Sequence, residues 1–472
     1  MLKKLLSFGY GSIFTMILGF ISSPLITRII EPEEFGKFSM FNSITSLASI
    51  LIACGIDQAY IRFYYIEKEE NRDLLLKKSL IVPIFINILL SIILLLCYKP
   101  LSFIIIGRQS IRIILLVILQ NTLNVFSKFL LINIRMQQKG NLYSLLQIIG
   151  KIVYLVSIIF LISIVGKNYK CLVYAIIISN IIILMLMIIN NKNLYFRKSS
   201  NSRQSVQTSY SEMFKYGYPL VLALSISWIF QSSDKILISK LVGYNELGIY
   251  SGAYSIVSLL TILQGTFVTV WTAIANQKYE ENKENILFFN KVYCNVAIIM
   301  FLLGILMVMF KNVIIYFLGS SYSKGSYVFP FLVLMPVLIT ISETTVIGIN
   351  FTKNTKYHIF ISIYSAIFNI VGNLFMIPIL GAKGAAISTG TSYVLYFILR
   401  TIIGQKYYNI NINYKSLIPS IICIILYASY ATFFDSYLYI IGFILLFIII
   451  LLYKSNINAY LNCLNHIIKK EG

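Results

Sequence analysis

The sequence predicts an all-α polytopic membrane protein with about 14 transmembrane helices, arranged as two six-helix lobes and two C-terminal helices. Hydrophobic residues make up 58% of the chain and charged residues 12%, whereas soluble domains carry roughly a quarter charged residues. Apolar runs long enough to cross the roughly 30 Å hydrocarbon core recur along the chain, and helices satisfy their own backbone groups there. In addition, part of the first half reappears in the second half at a constant spacing.

Fourteen apolar segments are predicted to form these helices. The first follows Lys3 and Lys4 and has the look of a signal peptide, but it runs from Leu5 to Ile30 without a small-residue cleavage site. We therefore interpret it as the first span. The predicted spans cover residues 8–30, 37–61, 79–98, 110–133, 141–165, 169–190, 213–241, 248–276, 288–318, 326–351, 357–380, 383–404, 415–434 and 436–454.

An internal repeat relates the two lobes. Moving back by 212 positions from the segment Trp228–Tyr254 superimposes it on a segment near the N-terminus, and later turns match at an offset of 214. Each copy contains six helices, an even number, so the copies share one orientation and are related by an axis along the membrane normal. The pairs at the 212 offset are Lys240 with Arg28, Glu246 with Glu34, Gly248 with Gly36, Tyr250 with Phe38, Ser251 with Ser39 and Ser255 with Ser43.

The longest polar stretch separates the two copies. Residues 190–211 are rich in Ser, Asn and Gln around a basic centre, which predicts a flexible cytoplasmic linker. The predicted organisation is a six-helix lobe at 1–190, a linker at 191–212, a second six-helix lobe at 213–406, helices 13 and 14 at 407–454, and a cytoplasmic tail at 455–472.

The distribution of basic residues predicts the orientation. If the N-terminus is cytoplasmic, 27 of the 39 lysines and arginines fall on the cytoplasmic side and 11 on the other, with Lys235 inside a span. This bias places both termini in the cytoplasm, and it accounts for the net charge of +22 without nucleic-acid binding. Six isolated cysteines and two distant histidines imply no disulfide framework, no metal site and no cofactor.

Polar residues inside the spans are the candidates for a transport pathway, because they are costly unless they face protein or water. On the second helix, polar and small residues recur every three or four positions and share a face as far as Asp57. The eighth helix repeats this pattern at the 212 offset. Tight packing through small residues is the alternative interpretation. The predicted cavity-lining residues are Asn42, Ser46, Ser49, Gln147, Gln231, Tyr254, Ser258 and Thr261.

Charged residues inside the spans are the stronger candidates. Lys151 lies ten residues, or roughly 15 Å, inside the fifth helix, too deep to reach the interface easily. Asp234 and Lys235 are neighbours that either neutralise each other or form a proton or cation site. Glu343 is a second deep carboxylate with either a structural or a proton-coupling role. Arg28, near a helix end, is either an interface anchor or a ligand.

Three segments resemble a known transporter family. They are TRIIEPEEFG at 27–36, the stretch from Asp234-Lys235 to Gly248-Ile249-Tyr250-Ser251, and the pattern Asn369-x3-Asn373-x4-Pro378-x2-Gly381-x2-Gly384-Ala385-Ala386. In this order and spacing they are similar to the polysaccharide-export branch of the multidrug/oligosaccharidyl-lipid/polysaccharide (MOP) exporter superfamily. The first half departs from the last pattern and retains only Gly166 near the expected turn.

The resemblance implies a non-enzymatic flippase of the bacterial plasma (inner) membrane. Its substrate would be an undecaprenyl-pyrophosphate-linked oligosaccharide repeat unit for O-antigen or capsule, moved to the outer leaflet by alternating access of two lobes. Membrane lipids and other polysaccharide-assembly membrane proteins would be its partners. On this interpretation Lys151, Arg28 and Lys235 bind the pyrophosphate headgroup, and Asp57, Asp234 and Glu343 couple transport to an ion gradient.

Three alternatives remain open at this point. A MATE-like cation-coupled drug exporter has the same architecture, but carboxylates should dominate its cavity. A glycan polymerase or ligase has similar hydropathy, but it should carry a large exterior loop, and the exterior connections here are short. A flippase for the peptidoglycan precursor differs mainly in being essential.

The two halves differ at one of the charged positions. The Asp234-Lys235 pair matches the uncharged Ser22-Ser23 in the first half, so a coupling site at this pair would be present in the second half alone.

Overall fold

The computed structural model describes residues 2–190 and 206–454, and every regular element assigned in them is a helix. These residues fall into two compact units, Met1–Gly248 and Ile249–Gly472. The prediction of an all-α polytopic fold is confirmed. Most of the predicted linker, at 191–205, and the predicted tail, at 455–472, lie outside the described residues. The predicted lobe boundaries rest on the sequence repeat and stay a prediction.

Unit 1 contains nine α-helices in the described residues and the start of a tenth. A 3-10 turn at Glu69–Asn71 precedes the fourth of these helices. In chain order the helices are α1 (Leu2–Ile29), α2 (Pro32–Ala53), α3 (Ile56–Phe63), α4 (Arg72–Leu96), α5 (Tyr98–Ile106), α6 (Ile111–Met136), α7 (Gly140–Val165), α8 (Tyr169–Asn190), α9 (Tyr210–Leu241) and α10 (Tyr244–Glu281), which continues into unit 2.

Unit 2 contains the rest of α10 and eight further α-helices among its described residues. A 3-10 helix at Ser320–Tyr327 lies between the second and third of these eight. The eight are α11 (Ile286–Met309), α12 (Lys311–Tyr316), α13 (Phe329–Thr345), α14 (Ile347–Phe351), α15 (Lys356–Leu380), α16 (Ala382–Tyr407), α17 (Tyr414–Phe433) and α18 (Leu438–Leu452).

The structure has ten to twelve helices of span length, compared with the fourteen predicted spans. In the part of the chain that the structure describes, ten helices are long and apolar enough to cross a membrane, and two bent helix pairs also pass this test if each pair is one span. The segments Ile13–Ile29 and α18 are apolar but shorter. The protein is therefore a multi-pass membrane protein.

Three predicted helices are interrupted in the structure, and the one at 288–318 is α11 and α12 with a break at Phe310. The predicted helix at 37–61 is α2 and α3, which are bent by 53° relative to each other. The bend arises because Cys54 and Gly55 adopt left-handed backbone conformations, with φ of 47° and 71°, and this ends α2. The predicted helix at 326–351 likewise comprises α13 and α14, with a bend of 59° between the preceding 3-10 helix and α13.

A reciprocal contact joins the beginnings of α2 and α10. A Cβ atom added to Gly36 would overlap the carbonyl oxygen of Tyr244, and one added to Gly248 would overlap the carbonyl oxygen of Pro32. Gly248 and Tyr244 are the 212-offset counterparts of Gly36 and Pro32. The same contact is therefore made twice with the roles exchanged, as an internal repeat requires, and glycine permits the close approach of the two helices.

The polar segment before α9 is held by unit 1. The buried carboxylate of Glu67 accepts hydrogen bonds from the backbone N–H and the hydroxyl of Thr208, both at 2.7 Å, and Lys78 donates to the Thr208 carbonyl at 2.7 Å. Ser209 then caps α9 in a capping box with Glu212. These contacts fix where α9 begins, and α9 packs against α2 and α3.

Helices α17 and α18 pack against α11 in unit 2, and an ionic cluster ties down the loop between them. The fully buried Lys311 donates to the Ala431 carbonyl and pairs with Asp435 at 3.0 Å. Asp435 also accepts hydrogen bonds from the Tyr327 hydroxyl at 2.5 Å and from the Asn312 amide at 3.1 Å. The two predicted C-terminal helices are thus an integral part of unit 2.

This cluster predicts a loss of stability in acid. Partial burial acts to raise the pKa of Asp435, but hydrogen bonds from Tyr327, Lys311 and Asn312 outweigh it and hold that pKa below its ordinary value of 3.8. A carboxyl group whose pKa is lower in the folded than in the unfolded state stabilises the fold at pH values above its unfolded-state pKa. This stabilisation is lost as the pH falls through the pKa of the folded state. The melting temperature of the wild type should therefore approach that of Asp435→Asn below about pH 4. Parallel melting curves from about pH 6 to about pH 3 would contradict the assignment.

Candidate functional site

A polar cavity of about 610 Å³ lies within unit 1, between α2, α6 and α8. Nine of the fourteen residues that line it are polar, and only one of these, Lys128, is charged. No carboxylate is among them. The lining comprises Asn42, Thr45, Ser46, Ser49, Ile50, Gln120, Asn124, Ser127, Lys128, Leu131, Ile176, Asn180, Ile183 and Met187.

The hydroxyl side chains of α2 are accommodated in an apolar span by local hydrogen bonds. Thr45 donates to the Phe41 carbonyl at 3.0 Å, and Ser46 donates to the Ser43 carbonyl at 2.8 Å. Each hydroxyl oxygen keeps its capacity to accept a hydrogen bond. Ser46 uses this capacity to accept the indole N–H of Trp228 at 2.9 Å, which brings α9 next to the cavity.

Side-chain amides form the opposite wall. Asn124 accepts hydrogen bonds from Gln120 at 3.1 Å and from Asn180 at 3.3 Å, and so links α6 to α8. The Gln120 Oε1 and Ser127 Oγ atoms are buried and have no hydrogen-bond partner among residues 2–190 and 206–454. Because both atoms are buried, neither is open to a ligand in the cavity while the wall keeps this arrangement.

An ion pair forms one end of this site. The bend between α2 and α3 places Asp57 beside α6, where its carboxylate lies 2.8 Å from Lys128 Nζ. The Asp57 side chain is 2% exposed and that of Lys128 is 33% exposed, so the lysine lies between the acid and the cavity. The Gln58 amide also donates to Asp57, at 3.1 Å.

The predicted residues of the first lobe are placed as follows. Asn42, Ser46 and Ser49 line this cavity, and their part in a transport pathway stays a prediction. Asp57 pairs with Lys128 of the lining and is not itself part of it. On α7, Lys151 Nζ lies 5.4 Å from the centre of the Tyr154 ring. Gln147 and Lys151 are half-buried and are not part of the lining of this cavity. The role of Lys151 stays a prediction.

Three other predicted charges lie on α1 and α9. Arg28 is exposed in the last turn of α1. On α9, Asp234 is buried, Lys235 is half-buried and Gln231 is exposed. None of them belongs to the lining of the cavity between α2, α6 and α8. The headgroup roles of Arg28 and Lys235 and the coupling role of Asp234 therefore stay predictions.

In unit 2 the predicted residues on α10 are half-buried. The hydroxyls of Ser258 and Thr261 donate to carbonyls of the preceding turn, and the Tyr254 ring stacks on Tyr250 with 6.3 Å between centroids. The local hydrogen bonds of the two hydroxyls resemble those on α2. The prediction that these three residues line a cavity stays a prediction.

Glu343 takes part in a buried ion pair. Its carboxylate accepts a hydrogen bond from Arg400 at 2.8 Å, and the same guanidinium nitrogen donates to Ser342 at 2.9 Å. The two charged side chains are 17% and 6% exposed. Trp271 on α10 adds an indole hydrogen bond to the Glu343 carbonyl at 3.1 Å. Glu343 is therefore neutralised by Arg400, a residue of α16 that was not among the predicted site residues.

The two ion pairs do not occupy corresponding positions in the repeat. The 214 offset places Ser342, the neighbour of Glu343, opposite Lys128. Lys128 precedes the last residue of α6, Met136, by eight positions, which is roughly 12 Å along a helix. This depth alone did not distinguish Lys128 from a lysine that anchors a helix at the interface.

Solved structures with the same fold are membrane transporters. The lipid II flippase MurJ in an inward closed conformation gives a TM-score of 0.69 at 15% identity, covering 95% of this chain and 99% of that chain. An inward-facing multidrug resistance MATE family transporter of the MOP superfamily gives 0.59 at 16% identity, covering 85% and 97%. A MOP superfamily transporter from Pyrococcus furiosus, with reverse polarity of its binding pocket, gives 0.57 at 15% identity, covering 86% and 95%. At these identities the comparison establishes the fold.

Sequence comparison identifies the family. The uncharacterized membrane protein MJ1068 of Methanocaldococcus jannaschii is 22% identical over 409 residues, covering 81% of this chain and 80% of that protein. A family model described as polysaccharide biosynthesis protein matches residues 1–272, more than half of the 472 residues. The family predicted from the three sequence segments is confirmed: this membrane protein belongs to the polysaccharide biosynthesis protein family.

Proposed function

We propose that the protein is a flippase that moves an undecaprenyl-pyrophosphate-linked oligosaccharide repeat unit from the inner to the outer leaflet of the bacterial plasma membrane. The product would supply O-antigen or capsule synthesis. The protein would act without enzymatic chemistry, by alternating access, with both termini in the cytoplasm. Family membership and the fold shared with a lipid II flippase support a lipid-linked substrate.

The observation that carries the proposal is the composition of the unit 1 cavity. Its hydroxyl and amide groups match the hydroxyl groups of sugars, and its single charge is the lysine Lys128. A sugar ring presents several donors and acceptors, so it can hydrogen-bond to the side-chain hydroxyls and amides of residues that line the cavity. A cation at the cavity surface attracts the phosphates that link the sugars to the lipid.

The same observation argues against export of cationic drugs. A cationic ligand requires an accessible carboxylate, and the lining contains none, because Asp57 lies behind Lys128 and is already paired with it. A cationic dye would instead meet the amine of Lys128. The fold shared with multidrug transporters does not change this conclusion, because fold alone does not determine the substrate.

The test is a deletion strain analysed for lipid-linked oligosaccharides. Deletion should cause one such species to accumulate on the inner leaflet and should reduce the surface glycan, and the wild-type gene should restore both. Lys128→Gln at equal protein level should reduce surface glycan on the order of tenfold or more, because a charge-assisted contact is lost. The matched control is Lys68→Gln, an exposed lysine outside the cavity.

Two results would contradict the proposal. One is a normal surface glycan with no accumulated lipid-linked species in the deletion strain. The other is increased sensitivity of that strain to cationic dyes, which would favour the multidrug exporter. Loss of viability on deletion would instead indicate transport of the peptidoglycan precursor.

The proposal also includes roles for six charged residues. The headgroup ligands would be Lys151, Arg28 and Lys235, and the coupling residues would be Asp57, Asp234 and Glu343.

A further inference from the structure

We propose that Lys128 exchanges its partner during transport. Its ammonium group moves away from Asp57 and binds an anionic group of the substrate, and Asp57 takes up one proton when this happens. The inference rests on the proposed function, because it requires a substrate with a phosphate-type anion. It adds a defined event to that function. Substrate anion and proton would bind to unit 1 together.

The exposure of the two side chains indicates which partner is free to move. Lys128 belongs to the cavity lining, while Asp57 is 2% exposed and has no direct access to it. An anion entering the cavity therefore meets Lys128 first. A lysine side chain has several rotatable bonds, and its ammonium group binds as a point charge. Rotation of the Lys128 side chain toward the cavity is enough for its ammonium group to pair with the ligand instead of with Asp57.

The surroundings of α3 offer no replacement for the lysine. α4 and α9 meet α3 mainly through apolar side chains, including Leu75, Leu76 and Met213, which share one buried cluster with Tyr60. The Tyr60 hydroxyl is itself bonded to Asn133 of α6 at 2.9 Å. Among the described residues, Lys128 is the one cation within hydrogen-bond distance of Asp57.

The other titratable groups against α3 lie near its C-terminal end. The Arg72 guanidinium of α4 lies 4.8 Å from the centre of the Tyr64 ring and donates to the Tyr64 carbonyl. The Tyr216 ring of α9 packs against Phe63 with 6.1 Å between centroids. Neither group pairs with Asp57, which is in the first turn of the helix.

Without Lys128, Asp57 would keep only the Gln58 amide as a side-chain donor. A buried carboxylate without a counter-ion is strongly unfavourable, so the carboxyl is expected to bind a proton instead of remaining charged. The N-terminus of α3 favours the charged form, but a helix dipole contributes less than a lost buried partner does. The proton comes from solvent through the cavity, once Lys128 has moved away from Asp57, and it compensates one negative charge of the entering ligand.

The sign of this linkage has a consequence for transport. Proton and substrate anion favour each other's binding, so unit 1 would hold both at the same time. One negative charge of the head would then be compensated by the proton on Asp57. This differs from an exchanger in which the proton and the substrate compete for one carboxylate.

The test uses farnesyl pyrophosphate, a short polyprenyl pyrophosphate, with the purified full-length protein in detergent. Calorimetric titration in two buffers of different ionisation enthalpy counts the protons taken up on binding. The wild type should take up about one more proton per ligand than Asp57→Asn. Because any protons taken up by the ligand itself are the same for both proteins, they cancel in this difference. Asp57→Asn should bind on the order of tenfold more tightly, because Lys128 is no longer held. Lys128→Gln should bind ten- to a hundredfold more weakly, at a rough estimate.

A second measurement needs no variant. Infrared difference spectra of the wild type should show a new protonated-carboxyl band when farnesyl pyrophosphate binds. Binding by the wild type with no such band and no extra proton would overturn the exchange and leave the flippase proposal intact. Failure of the wild type to bind farnesyl pyrophosphate, together with a normal surface glycan in the deletion strain, would overturn both.

Discussion

Gly248→Ala should sharply reduce the amount of folded protein, whereas Gly265→Ala in the same helix, α10, should leave it unchanged or slightly raised. At position 248 the new Cβ would overlap the carbonyl of Pro32, which is backbone and cannot rotate away. Such overpacking costs about 1–3 kcal/mol or more. At position 265 no atom lies within 4 Å of the new Cβ, so only the gain of about 0.5–1 kcal/mol in helix propensity remains.

The measurement is the yield of monodisperse protein and its melting temperature in detergent. Gly36→Ala should resemble Gly248→Ala, because its Cβ would overlap the carbonyl of Tyr244 in the reciprocal contact. Equal behaviour of the variants at positions 248 and 265 would show that the close approach of α2 and α10 does not matter for folding. A tolerant position 36 beside an intolerant position 248 would show that the contact is not reciprocal.

Arg400→Gln should have the second-largest effect, a loss of roughly 3–5 kcal/mol of stability in unit 2, because it leaves the carboxylate of Glu343 buried without a counter-ion. The Arg400 side chain is 6% exposed and contacts both Glu343 and Ser342. Glu343→Gln should destabilise for the converse reason. Thermal unfolding in detergent measures both effects, with the exposed Lys406→Gln of the same helix as the control.

The double variant Glu343→Gln, Arg400→Gln distinguishes an ion pair from two independent contributions. Replacing both partners removes the unpaired charge, so most of the lost stability should return. A double variant whose melting temperature falls by the sum of the two single changes would contradict the pairing. Surface glycan measured on the same variants shows whether Glu343 serves transport as well as stability.

Much of the fold was predictable because it depends on local patterns. Apolar runs of span length and the 212-residue repeat are properties of contiguous segments, and the described residues contain ten to twelve helices of span length. The bend at Cys54 and Gly55 was not predicted. Glycine at 55 was visible, but two successive left-handed residues are a property of the folded backbone. The bend matters because the predicted continuous face of Asn42 and Asp57 is interrupted there.

The site was only partly predictable, for a reason that Lys128 illustrates. A lysine eight residues from a helix end looks the same whether it anchors the helix at the interface or pairs with an acid on another helix. Its partner, Asp57, is 71 positions away, and helical spacing carries no information about contacts between helices. The amides Gln120, Asn124 and Asn180 were visible as polar residues inside apolar spans, so that part of the cavity was detectable from the sequence.

The pairing of Glu343 with Arg400 constrains how the second half can change in evolution. At the 214 offset their counterparts in the first half are the apolar residues Phe129 and Leu186, so the pair has no equivalent there. Loss of one of the two charges would leave the other without its counter-ion inside the protein. The two positions therefore have to change together, although they lie on different helices, α13 and α16. Related sequences should accordingly carry both charges or neither at 343 and 400.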